Sequence, residues 1–247
     1  MKIATWNVNG IRAREAQLCE WLARDQPDVV CLQELKAEPA QIPVSCHLED
    51  YHAFWHGMRA YSGVSIQVKK HLLEGPPDFT HPAFDMEARI VQVSIGNLVV
   101  ASVYVPNGGK DYAAKIDFLE KLAEWSSGLH AQGRELILCG DINVTRSDID
   151  VHPRERKPDV IGQRAEERAL IEKLLGDYLV DVGRALDPDN DRLFTWWAPW
   201  RNLRQRNIGW RIDYILASRS WAERATSCSV LTDVGTSDHA PVMMVTA

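Results

Sequence analysis

Short runs of apolar and β-branched residues recur along the chain and predict β-strands, because such side chains suit a pleated, half-buried surface. The turn Gly96-Asn97 joins two of these runs, which indicates an antiparallel hairpin and therefore a mixed sheet. The predicted strands cover residues 2–6, 28–33, 63–69, 88–95, 98–105, 135–139, 211–217, 226–231 and 242–245.

Three segments, residues 15–24, 112–129 and 166–175, have apolar residues three or four positions apart, the spacing of an amphipathic helix. We expect the apolar faces to comprise Leu18, Trp21 and Leu22 in the first, Ile116, Leu119, Leu122 and Ala123 in the second, and Ala169, Leu170 and Leu174 in the third. Many strands and few helices predict an α/β fold. It would be a four-layer α/β sandwich, in which two mixed β-sheets pack face to face with helices outside.

The chain has 247 residues, of which 45% are hydrophobic, so it can bury a full core. No Pro-, Gly- or Ser-rich linker divides it, and its polar motifs are shared between the two halves. We therefore expect a single domain over residues 1–247 that acts as a monomer.

No apolar segment approaches the roughly 18 residues of a membrane span, and the N-terminus lacks the basic and apolar regions of a signal peptide. The five cysteines are an odd number at wide spacing, which favours reduced thiols and argues against zinc. We expect a soluble, cytoplasmic protein with no membrane partner.

The formal net charge is −6 at pH 7, which by itself speaks against nucleic-acid binding, because phosphate contacts require Lys and Arg. The distribution of charge changes that conclusion. One stretch combines four arginines with four tryptophans: Arg201, Arg204, Arg206 and Arg211 with Trp196, Trp197, Trp200 and Trp210. This stretch predicts a local basic and aromatic surface suited to a nucleic acid, although core packing is the expected role of Trp197.

Polar side chains follow or close six apolar runs, where a strand delivers its terminal residues to one edge of a sheet. Carboxylates, carboxamides, a phenol and an imidazole predominate among them, which is the composition that hard divalent cations require. The motifs are Trp6-Asn7-Val8-Asn9-Gly10, Leu32-Gln33-Glu34, Tyr104-Val105-Pro106-Asn107, Gly140-Asp141-Ile142-Asn143, Arg211-Ile212-Asp213 and Ser237-Asp238-His239-Ala240-Pro241. Together they predict a hydrolytic site that uses magnesium or manganese.

Each motif taken alone also has an ordinary structural explanation. Glu34 could end a strand and pair with Lys36, and Asn9 could simply form a loop. Asp141 and Asn143 could cap a turn or a helix just as cheaply. These ordinary explanations become less convincing only when one explanation must account for the polar residues at all six strand ends together.

Asp213 lies inside a predicted strand, where an isolated carboxylate would be costly, so it needs a partner. His239 is the natural candidate. A carboxylate bonded to one imidazole nitrogen fixes the tautomer and leaves the other nitrogen for phosphate or water.

The six motifs, in this order, resemble those of the exonuclease III type of AP endonuclease. That group lies within the superfamily of metal-dependent endonucleases, exonucleases and phosphatases that includes deoxyribonuclease I. The resemblance covers nearly all 247 residues and departs from the pattern at Leu35, where Thr is usual. Residues 12–14 and 207–211 look like the DNA-repair branch rather than the sphingomyelinase or inositol-phosphatase branches.

The resemblance implies a metal site built on Glu34. This carboxylate would hold the principal Mg²⁺, for which Mn²⁺ would substitute. Asn7 and Asp238, or neighbouring waters, would complete or support the shell. Asp150 matches an acid that is sometimes linked to a second metal position.

The resemblance also implies the catalytic residues. Asp141 would position and deprotonate the attacking water, while His239, oriented by Asp213, would contact the scissile phosphate. The base assignment stays open between Asp141 and the Asp213–His239 pair. The remaining members of the set, which would bind phosphate oxygens or support the leaving group, are Asn143, Tyr104 and Asn107.

DNA contacts follow from the same resemblance. Arg12 and Lys36 would meet the DNA backbone, and Lys110 lies where some relatives insert an Arg into the helix. Trp200 and Arg206 belong to a recognition loop in which an aromatic wedge could fill space beside an unstacked site. The apolar pocket for an abasic deoxyribose, which would exclude an intact nucleotide, would be formed by Trp196, Trp210 and Ile212.

These features predict a DNA repair enzyme that cleaves the phosphodiester 5′ to an abasic site in double-stranded DNA. Activity as a 3′→5′ exonuclease and cleaning of 3′-blocked ends would accompany this cleavage. The alternatives are a nuclease working chiefly as an exonuclease or beside damaged bases, a phosphatase of lipid or sugar phosphates, and a catalytically dead DNA-binding relative. A dead relative would be expected to lose Glu34, Asp141, Asp213 or His239, and all four are present.

Overall fold

Twelve β-strands and five α-helices make up the computed structural model, which describes all 247 residues. The strands are β1 Lys2–Asn7, β2 Val29–Gln33, β3 Tyr51–Met58, β4 Tyr61–Lys69, β5 Phe79–Thr80, β6 Ile90–Ile95, β7 Leu98–Tyr104, β8 Glu135–Asp141, β9 Leu179–Asp181, β10 Asp213–Ser218, β11 Ala225–Val230 and β12 Val242–Thr246. The helices are α1 Ile11–Asp25, α2 Tyr112–Ala131, α3 Ala165–Leu175, α4 Val182–Leu186 and α5 Arg219–Ala222. All nine predicted strands and all three predicted helices are present.

The strands form two mixed sheets of six strands each. Their orders are β11-β12-β1-β2-β4-β3 and β5-β6-β7-β8-β10-β9. Each sheet contains one parallel pair, β1 with β2 and β7 with β8, and α1 and α2 are the crossover helices between the members of each pair. The predicted hairpin is β6–β7, in which Ile95 is paired with Leu98.

Alternation of side chains along the strands produces four layers. In β8, Leu136 and Leu138 pack in one cluster with α2, while Ile137 and Cys139 pack in another with the opposite sheet. The predicted face of α1 (Leu18, Trp21 and Leu22) is buried on the outer side of that opposite sheet. The predicted α/β sandwich, with two sheets face to face and helices outside, is thereby confirmed.

The predicted faces of the other two helices need correction. Ile116 is only half-buried and Ala169 is exposed, whereas Ile171 belongs to the core. The charged residues Lys115 and Glu167 are instead fully buried, because they form an ion pair between α2 and α3. A prediction from apolar periodicity assigns every charged residue to the surface. The predicted buried face of each helix is therefore rotated slightly about the helix axis from the observed one.

A buried polar bridge joins the two sheets just below the polar strand ends. Gln33 at the end of β2 accepts a hydrogen bond from Thr5 Oγ1 and donates one to Ser102 Oγ of β7, at 3.1 and 3.0 Å. Because these buried groups satisfy one another, they hold the sheets at a defined distance without an energetic penalty. None of the helices is long and apolar enough to cross a membrane.

Candidate active site

Six polar strand ends meet at one edge of the sandwich. β1 and β2 run in parallel and end there, as do β7 and β8, while β10 and β12 run antiparallel to their neighbours and begin there. The register places Tyr104, Asp141 and Asp213 side by side on three adjacent strands. A pocket of about 370 Å³ opens at this edge, between the ends of the two sheets.

Most of the residues singled out from the sequence line this pocket. Asp213 does not, because it lies buried behind the ring of His239. The residues that the structure brings together around the pocket are Asn7, Glu34, Lys36, Tyr104, Asn107, Asp141, Asn143, Trp196, Trp210, Ile212, Asp238 and His239.

An Asp–His–Asp series lies at the floor of the pocket, which His239 and Asp141 line while Asp213 lies buried behind His239. His239 Nδ1 lies 2.9 Å from Asp213 Oδ2, and His239 Nε2 lies 3.8 Å from Asp141 Oδ2. Asp213 Oδ2 also accepts a 2.6 Å hydrogen bond from Thr195 Oγ1. The imidazole is therefore held in one orientation, with Nε2 directed toward Asp141.

The buried charges of this series shift one another's pKa. Burial favours the neutral acid and raises the pKa of Asp141 to about 7, despite the attraction of His239. Burial alone would lower the pKa of His239, but the charges of Asp213 and Asp141 outweigh it and raise that pKa to about 10. The pair thus combines a carboxyl group and an imidazole that both have a raised pKa, an arrangement that suits proton transfer.

Asp141 is held by the Asn7 side chain, from the end of β1, and by the backbone of Asn143, two residues further along its own segment. Asn7 Nδ2 donates to Asp141 Oδ2 at 2.8 Å, and the backbone N–H of Asn143 donates to Asp141 Oδ1 at 2.9 Å. Asn143 Nδ2 in turn donates to the carbonyl oxygen of Val105. These contacts fix the carboxylate for a water in the pocket.

Four polar residues of the site adopt the left-handed backbone conformation, which is uncommon for residues other than glycine. Their φ angles lie between 46° and 57°, and the residues are Asn9, Glu34, Lys36 and Asn143. Each follows the last residue of a strand by one to three positions, so the chain turns sharply as the strand ends. This strain turns the side chains into the pocket and is typical of a functional site.

Oxygen ligands for a cation surround Glu34. The carboxylate faces the pocket together with Asn7, Asp141 and Asp238, and no thiol lies among the lining residues. The Lys36 ammonium lies 3.0 Å from Glu34 Oε1 and donates to Asn9 Oδ1 at 2.6 Å, so a positive charge is already stabilised at this place. The donor set fits a hard divalent cation such as Mg²⁺.

Asp238 bridges the two sides of the pocket. Its Oδ1 accepts from Asn9 Nδ2 at 2.8 Å, and its Oδ2 accepts from Trp196 Nε1 at 3.0 Å. Burial disfavours its charge, but His239 and these hydrogen bonds lower its pKa, so it is ionised at neutral pH. Each oxygen keeps a lone pair for a further partner.

The wall beside this polar floor is apolar. The Trp196 and Trp210 rings meet edge to face at 5.4 Å between centroids, and Ile212 completes the expected set. Ile161 lines the same wall but was not singled out from the sequence, because a single isoleucine within a polar loop gives no signal.

Asp150 lies outside the pocket, in disagreement with the metal role inferred for it. Its Oδ1 accepts from Arg184 Nη2 and from Arg211 Nε, both at 2.7 Å, and its Oδ2 accepts from the backbone N–H of Ser147. Arg211 also forms a two-pronged ion pair with Asp181. Asp150 is therefore engaged in a buried ion-pair network that supports the strand leading to Asp213.

Four expected DNA-contacting residues also lie outside the pocket, on the protein surface. All four are exposed, and the Trp200 side chain is the most conspicuous, with 60% of its area exposed. The others are Arg12, Lys110 and Arg206.

Arg204 and Thr195 are site residues whose contacts the sequence did not reveal. The Arg204 guanidinium donates to backbone carbonyls of Thr232, Val234 and Ser237 and packs over the Trp197 ring. It therefore ties the tryptophan-rich loop to the segment that carries His239. Backbone carbonyls carry no sequence signal, so only the fold could show these partners.

The chain is similar in sequence and in structure to known proteins. Residues 4–239 match the Endonuclease/Exonuclease/phosphatase family. An exodeoxyribonuclease of Bacillus subtilis is 32% identical over 255 residues, which cover 99% of each chain.

Solved structures of two nucleic-acid enzymes have the same fold as this chain. An AP endonuclease from Archaeoglobus fulgidus matches with a TM-score of 0.89 and 31% identity, covering 100% of this chain and 99% of that one. The 3′ phosphatase NExo from Neisseria, bound to a product DNA hairpin, matches with a TM-score of 0.91 and 29% identity over the same shares.

Proposed function

This chain belongs to the endonuclease/exonuclease/phosphatase family, and we propose that it is a monomeric DNA repair nuclease that hydrolyses the phosphodiester 5′ to an abasic site in double-stranded DNA. The observation that carries this proposal is the Asp213–His239–Asp141 series opening onto a pocket with an apolar wall. A polar floor can act on a phosphate, and an apolar wall can accept a sugar that lacks its base.

Phosphodiester hydrolysis requires a water activated in line, neutralisation of the phosphate oxygens and stabilisation of the leaving oxygen. Asp141 is the group placed to orient and deprotonate the water, since two amides fix its oxygens and its pKa is raised to about 7. His239, held by Asp213, presents Nε2 to a phosphate oxygen as a positive donor.

Amide and hydroxyl donors complete the phosphate site. Tyr104 keeps its proton, because burial and the nearby charges of Glu34 and Asp141 raise its pKa. The phenol therefore donates to a phosphate oxygen rather than repelling it. Asn143 and Asn107 line the same pocket and supply further amide groups.

Glu34 would hold the divalent cation, supported by Asn7 and Asp238. The family depends on divalent metals, and the oxygen-rich donors around Glu34 favour Mg²⁺, with Mn²⁺ as a substitute. When bound, such a cation neutralises charge on the phosphate and the departing 3′ oxygen. Lys36 would then exchange its contact with Glu34 for the DNA backbone.

Processing of 3′ ends is the second activity that we propose for the same site. The similar Bacillus subtilis protein is an exodeoxyribonuclease and the similar Neisseria protein is a 3′ phosphatase. A terminal phosphate or nucleotide would meet the same floor of Asp141 and His239. The apolar wall is the feature that would favour an abasic site over an intact 3′ nucleotide.

Substituting Ile212→Ala tests the role of the apolar wall. The shorter side chain widens the pocket, so selectivity for an abasic duplex over an undamaged one should fall by about tenfold. Ile171→Ala is the matched control, because Ile171 is similarly buried but packs in a core cluster that contains no residue lining the pocket. Unchanged selectivity in Ile212→Ala, or an equal loss in Ile171→Ala, would refute the assigned role.

A further inference from the structure

A second cluster of metal-type ligands lies where edge strands of the two sheets come together. His56 belongs to β3, the outermost strand of one sheet, while His81 and Asp85 lie between β6 and β5, the outermost strand of the other. Their ligand atoms all lie within 4.8 Å of one another. None of the three lines the candidate active site.

The Asp85 carboxylate is held in a fixed orientation that turns one oxygen toward both histidines. Its Oδ1 accepts from the backbone N–H groups of Arg89 and Ile90, at 2.8 and 3.1 Å. Its Oδ2 lies 2.6 Å from His56 Nε2 and 3.9 Å from His81 Nδ1. Supporting hydrogen bonds of this kind are typical of carboxylates that ligate metals.

The two imidazoles are stacked and differ in their freedom to move. Their rings lie 4.9 Å apart and nearly parallel, and Phe54 stacks on His56 from within its own strand. The His81 side chain is 50% exposed, against 23% for His56. His81 can therefore turn out of the stack and direct Nδ1 at a position shared with the other two ligands.

We propose that His56, His81 and Asp85 bind a transition-metal ion, such as Zn²⁺, that clamps the adjoining edges of the two sheets. Two imidazoles and one carboxylate suit Zn²⁺ and its neighbours, whereas the oxygen-rich active site suits Mg²⁺. Water would fill the remaining coordination position. The cysteines take no part, which is why their spacing carries no information about this site.

Binding replaces a proton with the metal. The 2.6 Å contact between His56 Nε2 and Asp85 Oδ2 contains one proton, which must leave this position, either to Nδ1 of the same ring or to solvent, while the two atoms move apart to admit the metal. Coordination at about 2.0–2.2 Å also requires His81 Nδ1 to approach the Asp85 oxygen more closely than in the metal-free arrangement. Both changes involve half-exposed imidazoles, and the backbone need not move.

Titration of the full-length protein with Zn²⁺ tests this site. Calorimetry would be carried out with excess Mg²⁺, so that Zn²⁺ is titrated in competition with the ion that suits the active site. His81→Ala removes one ligand from an exposed position, so the fold is preserved. His52→Ala is the matched control, since His52 lies on the same strand but outside the cluster.

We expect wild type and His52→Ala to bind one Zn²⁺ and to unfold at a higher temperature when it is present. His81→Ala should bind this ion about tenfold or more weakly and lose the thermal shift. Equal Zn²⁺ affinity in wild type and His81→Ala would overturn the proposal. So would an equal loss of affinity in His52→Ala.

Discussion

At the scale of single residues, partners are predictable where burial forces one kind of contact. Asp213 was expected to need a cationic or donor partner because it lies in a buried strand, and His239 lies against it. The sequence did not predict that Thr195 donates to the same carboxylate, because a hydroxyl group can form its hydrogen bond with many kinds of partner. Asp150 shows the limit of resemblance, because its position in a motif does not tell that two arginines bind its Oδ1 and the Ser147 backbone N–H binds its Oδ2.

Asp141→Asn should reduce turnover on an abasic duplex by on the order of 10³-fold. An amide cannot accept the proton of the attacking water, and its single oxygen can keep only one of the two hydrogen bonds that Asn7 Nδ2 and the Asn143 N–H donate to the carboxylate. DNA affinity should be kept, because the phosphate and backbone contacts are untouched. Single-turnover cleavage and a binding assay on the same duplex separate the two quantities, and near-normal cleavage would sink the role given to Asp141.

Asp150→Asn should lower the free energy of unfolding by about 3–5 kcal/mol, because it leaves Arg211 with an uncompensated part of its buried charge. The metal requirement for cleavage should not change. Asp148→Asn is the control, since Asp148 pairs with Arg168 at an exposed site. Denaturant unfolding measures the difference, and a raised Mg²⁺ requirement in Asp150→Asn alone would restore a metal role.

The Asp150 network also predicts a pH dependence of stability. Burial opposes its charge, but Arg211 and Arg184 prevail and hold the pKa of Asp150 below its usual value. A carboxylate with a depressed pKa stabilises the fold above its unfolded pKa of about 3.9 and loses that contribution as the pH falls through its folded pKa. As the pH falls from about 5 to the folded pKa, the free energy of unfolding of the wild type should therefore fall more steeply than that of Asp150→Asn. Plots of that free energy against pH that run parallel for the two proteins over this range would contradict the prediction.

At the scale of elements, length and burial decide what the sequence can predict. β5 and β9 contain two and three residues, too few for alternation to be visible. β3 was missed because it is mostly half-buried and contains His52, His56 and Gly57 rather than a β-branched run. Gly57 is required there, since a side chain would collide with the carbonyl of Ala37.

Lys115→Met should lower the free energy of unfolding by about 3–5 kcal/mol, because it leaves the buried carboxylate of Glu167 between α2 and α3 without its positive partner. Burial lowers the pKa of Lys115, but Glu167 favours its charged form. Lys115 Nζ also donates to the carbonyl of Asn143, so turnover should fall together with stability.

Lys121→Met is the matched control, because Lys121 makes an exposed pair with Asp117 on the same helix. The double variant Lys115→Met, Glu167→Gln should recover part of the loss, since the buried charge is removed. Thermal and denaturant unfolding report both effects. Equal stability of the two Lys→Met variants would mean that the buried pair contributes nothing.

At the scale of the whole molecule, the site exists because two sheets end at the same edge. Neither sheet carries it alone, since Asn7 and Glu34 come from one and Tyr104, Asp141 and Asp213 from the other. The many strands, the hairpin and the few helices were enough to predict the sandwich, but the meeting of strand ends from both sheets depends on contacts between residues far apart in sequence. The net charge of −6 likewise conceals exposed basic residues such as Arg12, Lys110 and Arg206.

Cleavage of an end-labelled duplex carrying one abasic-site analogue, with Mg²⁺ and then with EDTA, tests the central claim most directly. An undamaged duplex of the same sequence is the control. We expect one product ending 5′ to the analogue, its loss with EDTA, and sparing of the undamaged duplex. A ladder from the 3′ end of both duplexes, or cleavage that persists in EDTA, would contradict a metal-dependent enzyme selective for abasic sites.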